Sequence, residues 1–274
     1  MEYVRGLLFG IAYGIANVIP GLSGGTILVV SGCYDLLCEA FALNIKKIKE
    51  HFFFFLLFGL GVLGGLVGFL HAITFLLANH LIPTNLFLMG LILGGVPLVL
   101  QLATEDQAFT PACLGPFFLG AGSVIALYLL EQFGGTTSDT AQAVDLWFIA
   151  KTVFCAFIAA IAMILPGVSG AFVLLAFGVY DAFLGALRDL DFTIVLPAAA
   201  GILLGVIVGS RFILLLMKKS KPMVYSAILG MVLASVVPLF PNGFGLNTPT
   251  YVGILCLLLG GGLSLLMRKR ESTS

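Results

Sequence analysis

The chain has 274 residues, 60% hydrophobic and only 9% charged, with a mean hydropathy of +1.16. Soluble domains carry about 25% charged residues, so this composition excludes one and describes a polytopic membrane protein. Thirteen basic residues balance thirteen acidic ones, and a zero net charge gives no basis for a nucleic-acid partner.

The first segment, "MEYVRGLLFGIAYGIANVIPG", carries Arg5 but no A-x-A cleavage site, so it reads as retained structure and not a signal peptide. Apolar sequence continues to residue 41, but Pro20 and the glycines around it split it into arms of 15 residues (5–19) and 16 residues (26–41). At ~1.5 Å per residue the arms reach about 22–24 Å, short of a hydrocarbon core of about 30 Å. The spacing therefore predicts a re-entrant helical hairpin over 5–41, followed by transmembrane helices at 52–77, 85–103 and 111–133. A second hairpin over 147–187 follows, with transmembrane helices at 193–217, 222–240 and 249–267. Its first arm, 147–165, is long enough to nearly span.

The two halves, 1–135 and 136–274, are copies. An offset of 146 residues aligns 19–41 with 165–187 and makes nine of 23 positions identical, among them Pro20/Pro166, Gly21/Gly167, Ser23/Ser169, Gly24/Gly170, Gly32/Gly178, Tyr34/Tyr180 and Asp35/Asp181. Chance similarity between greasy segments would match Leu and Ala, not Pro, Ser, Tyr and Asp in register. An offset of 140 aligns "GVLGGLVGFLH" (61–71) with "GILLGVIVGSR" (201–211), setting His71 against Arg211. Three crossings per half would invert the second half relative to the first. The expected fold is thus all-α: an inverted repeat of two halves, each a re-entrant hairpin plus three transmembrane helices.

Charge placement chooses the topology. With same-side hairpins, Arg5, Lys46, Lys47, Lys49, Lys218, Lys219, Lys221, Arg268, Lys269 and Arg270 share one face. The other keeps Lys151 and Arg188 beside Asp139, Asp145, Asp189 and Asp191. Both termini are expected in the cytoplasm.

Irregular backbone at membrane depth survives only where protein covers it or water reaches it. Paired helix breaks in an inverted repeat point to a transporter's midplane site. Pro20 and Pro166 would stop the entering arm, while Gly21 and Gly167 permit the turn. Ser23, Thr26 and Ser169 sit where a hydroxyl caps the returning helix. The N–H groups there, with Gly24, Gly25 and Gly170, would face an anion such as phosphate. A helix end contributes up to about 2 kcal/mol toward a negative charge, far less than desolvation costs, so a cation must assist. Arg211 is the candidate that forks onto phosphate; the bland alternative is that it snorkels to the interface. Asn17 could satisfy broken backbone or touch the ligand. Arg5 and Lys151 read first as interfacial anchors, and Arg188, His71, Asp35 and Asp181 join them as candidates for gating or capture. Five scattered cysteines and three histidines have no ligand spacing, so no metal and no cofactor is expected.

On "GIANVIPGLSGGTILVVSGCYDLL" and "MILPGVSGAFVLLAFGVYDAFL" the chain resembles the bacterial polyprenyl-phosphate transporter family, formerly domain of unknown function 368. The resemblance covers nearly the whole length. It implies a flippase of the bacterial cytoplasmic (inner) membrane that returns undecaprenyl phosphate from the outer to the cytoplasmic leaflet, where the lipid carrier is reused in envelope assembly. An H+ or Na+ gradient, or mass action, would drive it; the oligomeric state is open. The second motif carries Ala171 and Phe172 where the first has Gly25 and Thr26, so the hairpins need not contribute equally.

Two other readings stand beside it. A secondary transporter of a small anion or metabolite fits the same fold argument. The stretches 21–24 and 167–170 also match the GxSG of intramembrane serine proteases, whose serine needs a neighbouring histidine; His51, His71 and His80 have no such symmetric placement. No catalytic residue, and no enzyme, is expected.

Overall fold

In a computed structural model the described residues are 2–18, 23–104, 110–133, 146–168, 170, 173–174, 177–189, 191–241, 244–245 and 248–269. They form helices and turns with no strand among them. The first half holds α1 (Glu2–Val18), α2 (Gly24–Val30), α3 (Tyr34–Phe41), α4 (Ile45–Glu50), α5 (Phe52–Asn79), α6 (Leu81–Thr104) and, after a 3-10 turn at Pro111–Cys113, α7 (Leu114–Phe133). The second holds α8 (Leu146–Ile164), α9 (Tyr180–Arg188), α10 (Phe192–Ala234) and α11 (Thr248–Lys269). Among them α6, α7, α8, α10 and α11 are long and apolar enough to cross a membrane, and the protein is a multi-pass membrane protein. Large side chains stay exposed along α5, α7 and α11 (Leu60, Val67, Phe118, Leu119, Leu258 and Leu259), as lipid rather than water requires.

The chain departs from the expected elements in two places. The returning arm 26–41 is not one helix: the chain turns at 31–33, where Gly32 adopts φ 72°, and Gly178 does the same at φ 67° in the second half. A left-handed backbone costs glycine nothing, so one aligned glycine breaks each arm. The expected pair 193–217 and 222–240 joins into α10, whose backbone leaves helical geometry at Ser220 (φ −161°, ψ 87°) just before Pro222. Pro222 has no N–H to bond the turn before it, which divides α10 into two arms. The second arm ends at Ala234, before the turns that contain Pro238.

Glycine decides how the helices meet. In lipid no hydrophobic force draws helices together, so close backbone approach over small residues takes over. A Cβ on Gly6, Gly10 or Gly14 would lie 2.8, 2.1 or 2.4 Å from the carbonyl oxygens of Phe54, Phe58 and Val62. Residue numbers rise together on both helices, so α1 and α5 run parallel. The intervening chain has therefore returned to the level at which α1 began. In the second half, Cβ atoms on Gly201 and Gly205 would lie 2.5 and 2.3 Å from the Val153 and Phe157 oxygens, with Gly209 against Ile161. The first arm of α10 is thus parallel to α8.

These contacts repeat at the offsets found in the sequence. Gly61 and Gly65 meet the Leu7 and Ile11 oxygens, each at 2.4 Å; the glycines shift by 140 and their partners by 146 to give Gly201/Val153 and Gly205/Phe157. The remaining helices pair across the halves. Gly90 would meet Leu257 O at 2.1 Å, and Gly230 would meet Phe117 O at 2.1 Å. Gly260 meets Phe87 O, and Gly120 meets Ala227 O, each at 2.2 Å. Every residue in the first contact of each pair differs by 140 from one in the second. So α6 packs on α11 as α7 packs on the second arm of α10. The core between them holds Val29, Ile92, Val99 and Val232, all fully buried.

Candidate functional site: where the two motifs meet

The structure brings the first motif against the second. Thr26 is fully buried, and its Oγ1 accepts a hydrogen bond from the Gly167 backbone N–H at 2.9 Å. Ser23, also buried, donates through Oγ to the Leu165 carbonyl at 3.4 Å, a long and weak bond. Gly25 presses so closely that a Cβ there would lie 2.9 Å from the Ile164 oxygen and 3.1 Å from that of Leu165. Gly167 needs its glycine twice: its φ is +77°, and a Cβ would lie 2.9 Å from Met231 O. Thus α2, the turn after α8 and the second arm of α10 converge on one buried contact.

The hydroxyls do not perform the expected capping. Ser23 stands at the N-cap of α2 with extended backbone, but its side chain makes no capping bond. Both Ser23 and Thr26 reach across to the other motif instead. The close approach of Gly25 brings the Leu165 carbonyl and the Gly167 N–H within reach of those hydroxyls. Gly24 packs on α1, where a Cβ would lie 2.6 Å from both Asn17 Nδ2 and the Tyr13 ring. Asn17 itself is exposed and donates from Nδ2 to the Tyr13 carbonyl, one turn earlier on α1, at 2.7 Å. Pro166 and Gly170 are buried. Pro20, Gly21 and Ser169 lie outside the described residues.

The cations are dispersed. Arg211, on the first arm of α10, is exposed, and its Nε donates to the Ala42 carbonyl at 3.2 Å, just past α3. Among the described residues no hydrogen bond links it to the motif segments. Lys151 lies half-buried in the second turn of α8, near Cys155. Arg5 lies half-buried in α1. His71 is on α5 and Asp181 and Arg188 are on α9, with side chains outside the described part. No cluster of His, Cys, Asp or Glu that could hold a metal occurs among the described residues.

Sequence reasoning missed one contact. Tyr225, 1% exposed on the second arm of α10, donates its hydroxyl to Asp35 Oδ1 at 2.5 Å. The Lys221 ammonium lies 5.9 Å from the centre of the Tyr225 ring, within cation–π range. Tyr225 itself does not repeat and marks no motif; at the 140-residue offset its counterpart is Asn85. Outside the membrane-spanning segments, Asp191 caps α10 by accepting from Thr193 N at 2.9 Å and Thr193 Oγ1 at 2.5 Å, which holds its carboxyl below the usual range.

Residues 13–250, which include both motifs and the helices that carry them, match the family described as VCA0040-like, undecaprenyl phosphate translocase-like. The chain belongs to this family. A protein named polyprenyl-phosphate transporter from Staphylococcus aureus (strain NCTC 8325 / PS 47) is 30% identical over 269 residues, 94% of each chain. One of the same name from Vibrio cholerae serotype O1 (strain ATCC 39315 / El Tor Inaba N16961) is 30% identical over 256 residues, 88% of this chain and 79% of the relative. No solved structure matches.

Proposed function

We propose that this family member carries polyprenyl phosphate across the cytoplasmic membrane, returning it from the outer to the cytoplasmic leaflet for reuse in envelope assembly. The observation that carries the mechanism is the bond between Thr26 and Gly167, where irregular backbone from both halves meets in buried surroundings. The parallel pairing of α1 with α5, and of α8 with the first arm of α10, supports re-entrant hairpins entering from opposite faces. The repeated glycine contacts support an inverted pair of halves that rock about that meeting point. The names of the relatives support the substrate.

In the conformation described, the two motifs are closed on each other. The phosphate head would enter between them as the halves part, received by Ser23, Gly24, Gly25 and Thr26 on one side and Ser169 and Gly170 on the other. Asn17 borders this space from α1. Arg211 keeps its η nitrogens for the head group while Nε holds Ala42, and the polyprenyl tail stays in lipid throughout. A bilayer-spanning phosphate without such partners faces a desolvation cost of many kcal/mol, and lowering that barrier is the whole of the task. No bond is made or broken in this scheme. Ser23 donates to a backbone carbonyl rather than resting on a base, in keeping with a structural hydroxyl.

The test is the amount of undecaprenyl phosphate on the surface of intact cells, read with an impermeant probe for its head group. Depletion of the protein should raise it, and wild type but not Arg211→Ala should reverse the rise. An unchanged level, with redundant carriers removed, would return the small-anion transporter to first place.

A further inference from the structure

The helix α3 is held like a hinged bar. It is eight residues long and bounded by two left-handed residues, Gly32 (φ 72°) before it and Leu43 (φ 61°) after it. Left-handed backbone at a leucine is uncommon and costs about 1 kcal/mol or more, so surrounding contacts must impose it. Two such contacts tie the bar to α10. At its start Asp35 accepts from Tyr225 on the second arm; at its end the Ala42 carbonyl accepts from Arg211 on the first arm. An acidic residue in the first turn of α3 would stabilise that helix simply by facing its N-terminus. This carboxylate, however, is engaged by a phenol from the other half of the molecule.

Position gives the contact its meaning. Asp35 follows the meeting point of the motifs and precedes Lys46, Lys47 and Lys49, while Tyr225 lies one turn after Lys221. The bond therefore lies on the lysine-bearing side of the closed motifs. The opposite side has no equivalent phenol in the sequence, because Asn85 stands where Tyr225 would repeat. A short hydrogen bond between two elements that must separate is enough to bias a two-state equilibrium.

We propose that α3 is the gate on the lysine-bearing face, held shut by the hydrogen bond from Tyr225 to Asp35, with Tyr225 as its positioning residue. Opening breaks that bond, turns α3 about Gly32 and Leu43, and exposes the space below the motifs to one leaflet only. This rests on the transporter reading given above.

Two native cysteines serve as reporters. Cys38, on α3 one turn from Asp35, is 1% exposed, and Cys155, on α8, is 0% exposed. The full-length protein in membrane vesicles is treated with N-ethylmaleimide, and modification of each cysteine is followed by peptide mass spectrometry. Tyr225→Phe keeps the ring and removes only the donor. It should raise the labelling rate of Cys38 about tenfold while Cys155 stays at the wild-type rate. In an Asp35→Ala background, where the bond is already absent, Tyr225→Phe should raise the Cys38 rate no further. An unchanged Cys38 rate would overturn the gate. A parallel rise at Cys155 would overturn it too, since it would mean general loosening, and so would a further rise from Tyr225→Phe in the Asp35→Ala background. The labelling needs no substrate. A failed latch leaves the lipid assay standing, and a failed lipid assay leaves the latch standing.

Discussion

Replacing Thr26 with valine separates the hydrogen bond at the motif contact from the packing around it. Valine keeps the shape of threonine but has no acceptor, so the Gly167 N–H now bonded at 2.9 Å would lose its partner. An orphaned buried donor costs about 1–3 kcal/mol in soluble proteins, whereas interhelical bonds in membranes average about 0.6 kcal/mol and reach about 1.7. Gly167 is only half-buried, so a cost of about 1 kcal/mol is expected, about fivefold in the population of the aligned contact. Thr26→Ser makes the complementary change. It keeps the acceptor and removes one fully buried methyl, for a loss of about 0.8 kcal/mol in packing. The two variants should therefore melt at similar, slightly lowered temperatures in detergent. In proteoliposomes, with movement of polyprenyl phosphate between leaflets as the readout, Thr26→Val should be about fivefold slower than wild type and Thr26→Ser close to wild type. Equal transport by the two variants, or a serine variant slower than the valine one, would refute the reasoning, because packing alone would then govern the contact.

The glycine contacts make a graded prediction. Gly90→Ala and Gly230→Ala each drive a methyl to 2.1 Å from a carbonyl oxygen across a helix pair, so both should lower the melting temperature by similar amounts, with a cost of about 1–3 kcal/mol or more. Gly64→Ala meets nothing within 4 Å and should be neutral or stabilising by about 0.5–1 kcal/mol; thermal unfolding in detergent ranks the three. Topology is checked by impermeant thiol labelling of single added cysteines. Lys47→Cys and Lys219→Cys should react from the cytoplasmic side and Leu146→Cys from the other, and labelling of all three from one side would rule out the inverted arrangement.

The sequence by itself carried the features that depend on local chemistry and on duplication. Proline and glycine cannot be read past, so the helix end before Pro166 and the apolar character of the long helices were visible as composition. The copies were visible because Pro, Gly, Ser, Tyr and Asp recur at one offset. Even the glycine contacts were latent in the alignment of 61–71 with 201–211, although nothing there named their partners.

What only the tertiary structure decided are the contacts between residues far apart in the chain, whose partners no local pattern encodes. Ser23 and Thr26 have the residue types of helix caps, yet they bond to the opposite motif because Gly25 lets the two backbones approach. Arg211 has the chemistry of a phosphate ligand, yet its Nε is held by Ala42 because the first arm of α10 passes the end of α3. Tyr225 carries no signal at all in one dimension; its phenol meets Asp35 because the chain is redirected just before Pro222 and the second arm of α10 lies against α3. Helix formation and membrane insertion are dictated by short windows of sequence. The pairing of hydrogen-bonding groups at a buried crossing depends on which backbones can come close, and that is settled only when all the helices are in place.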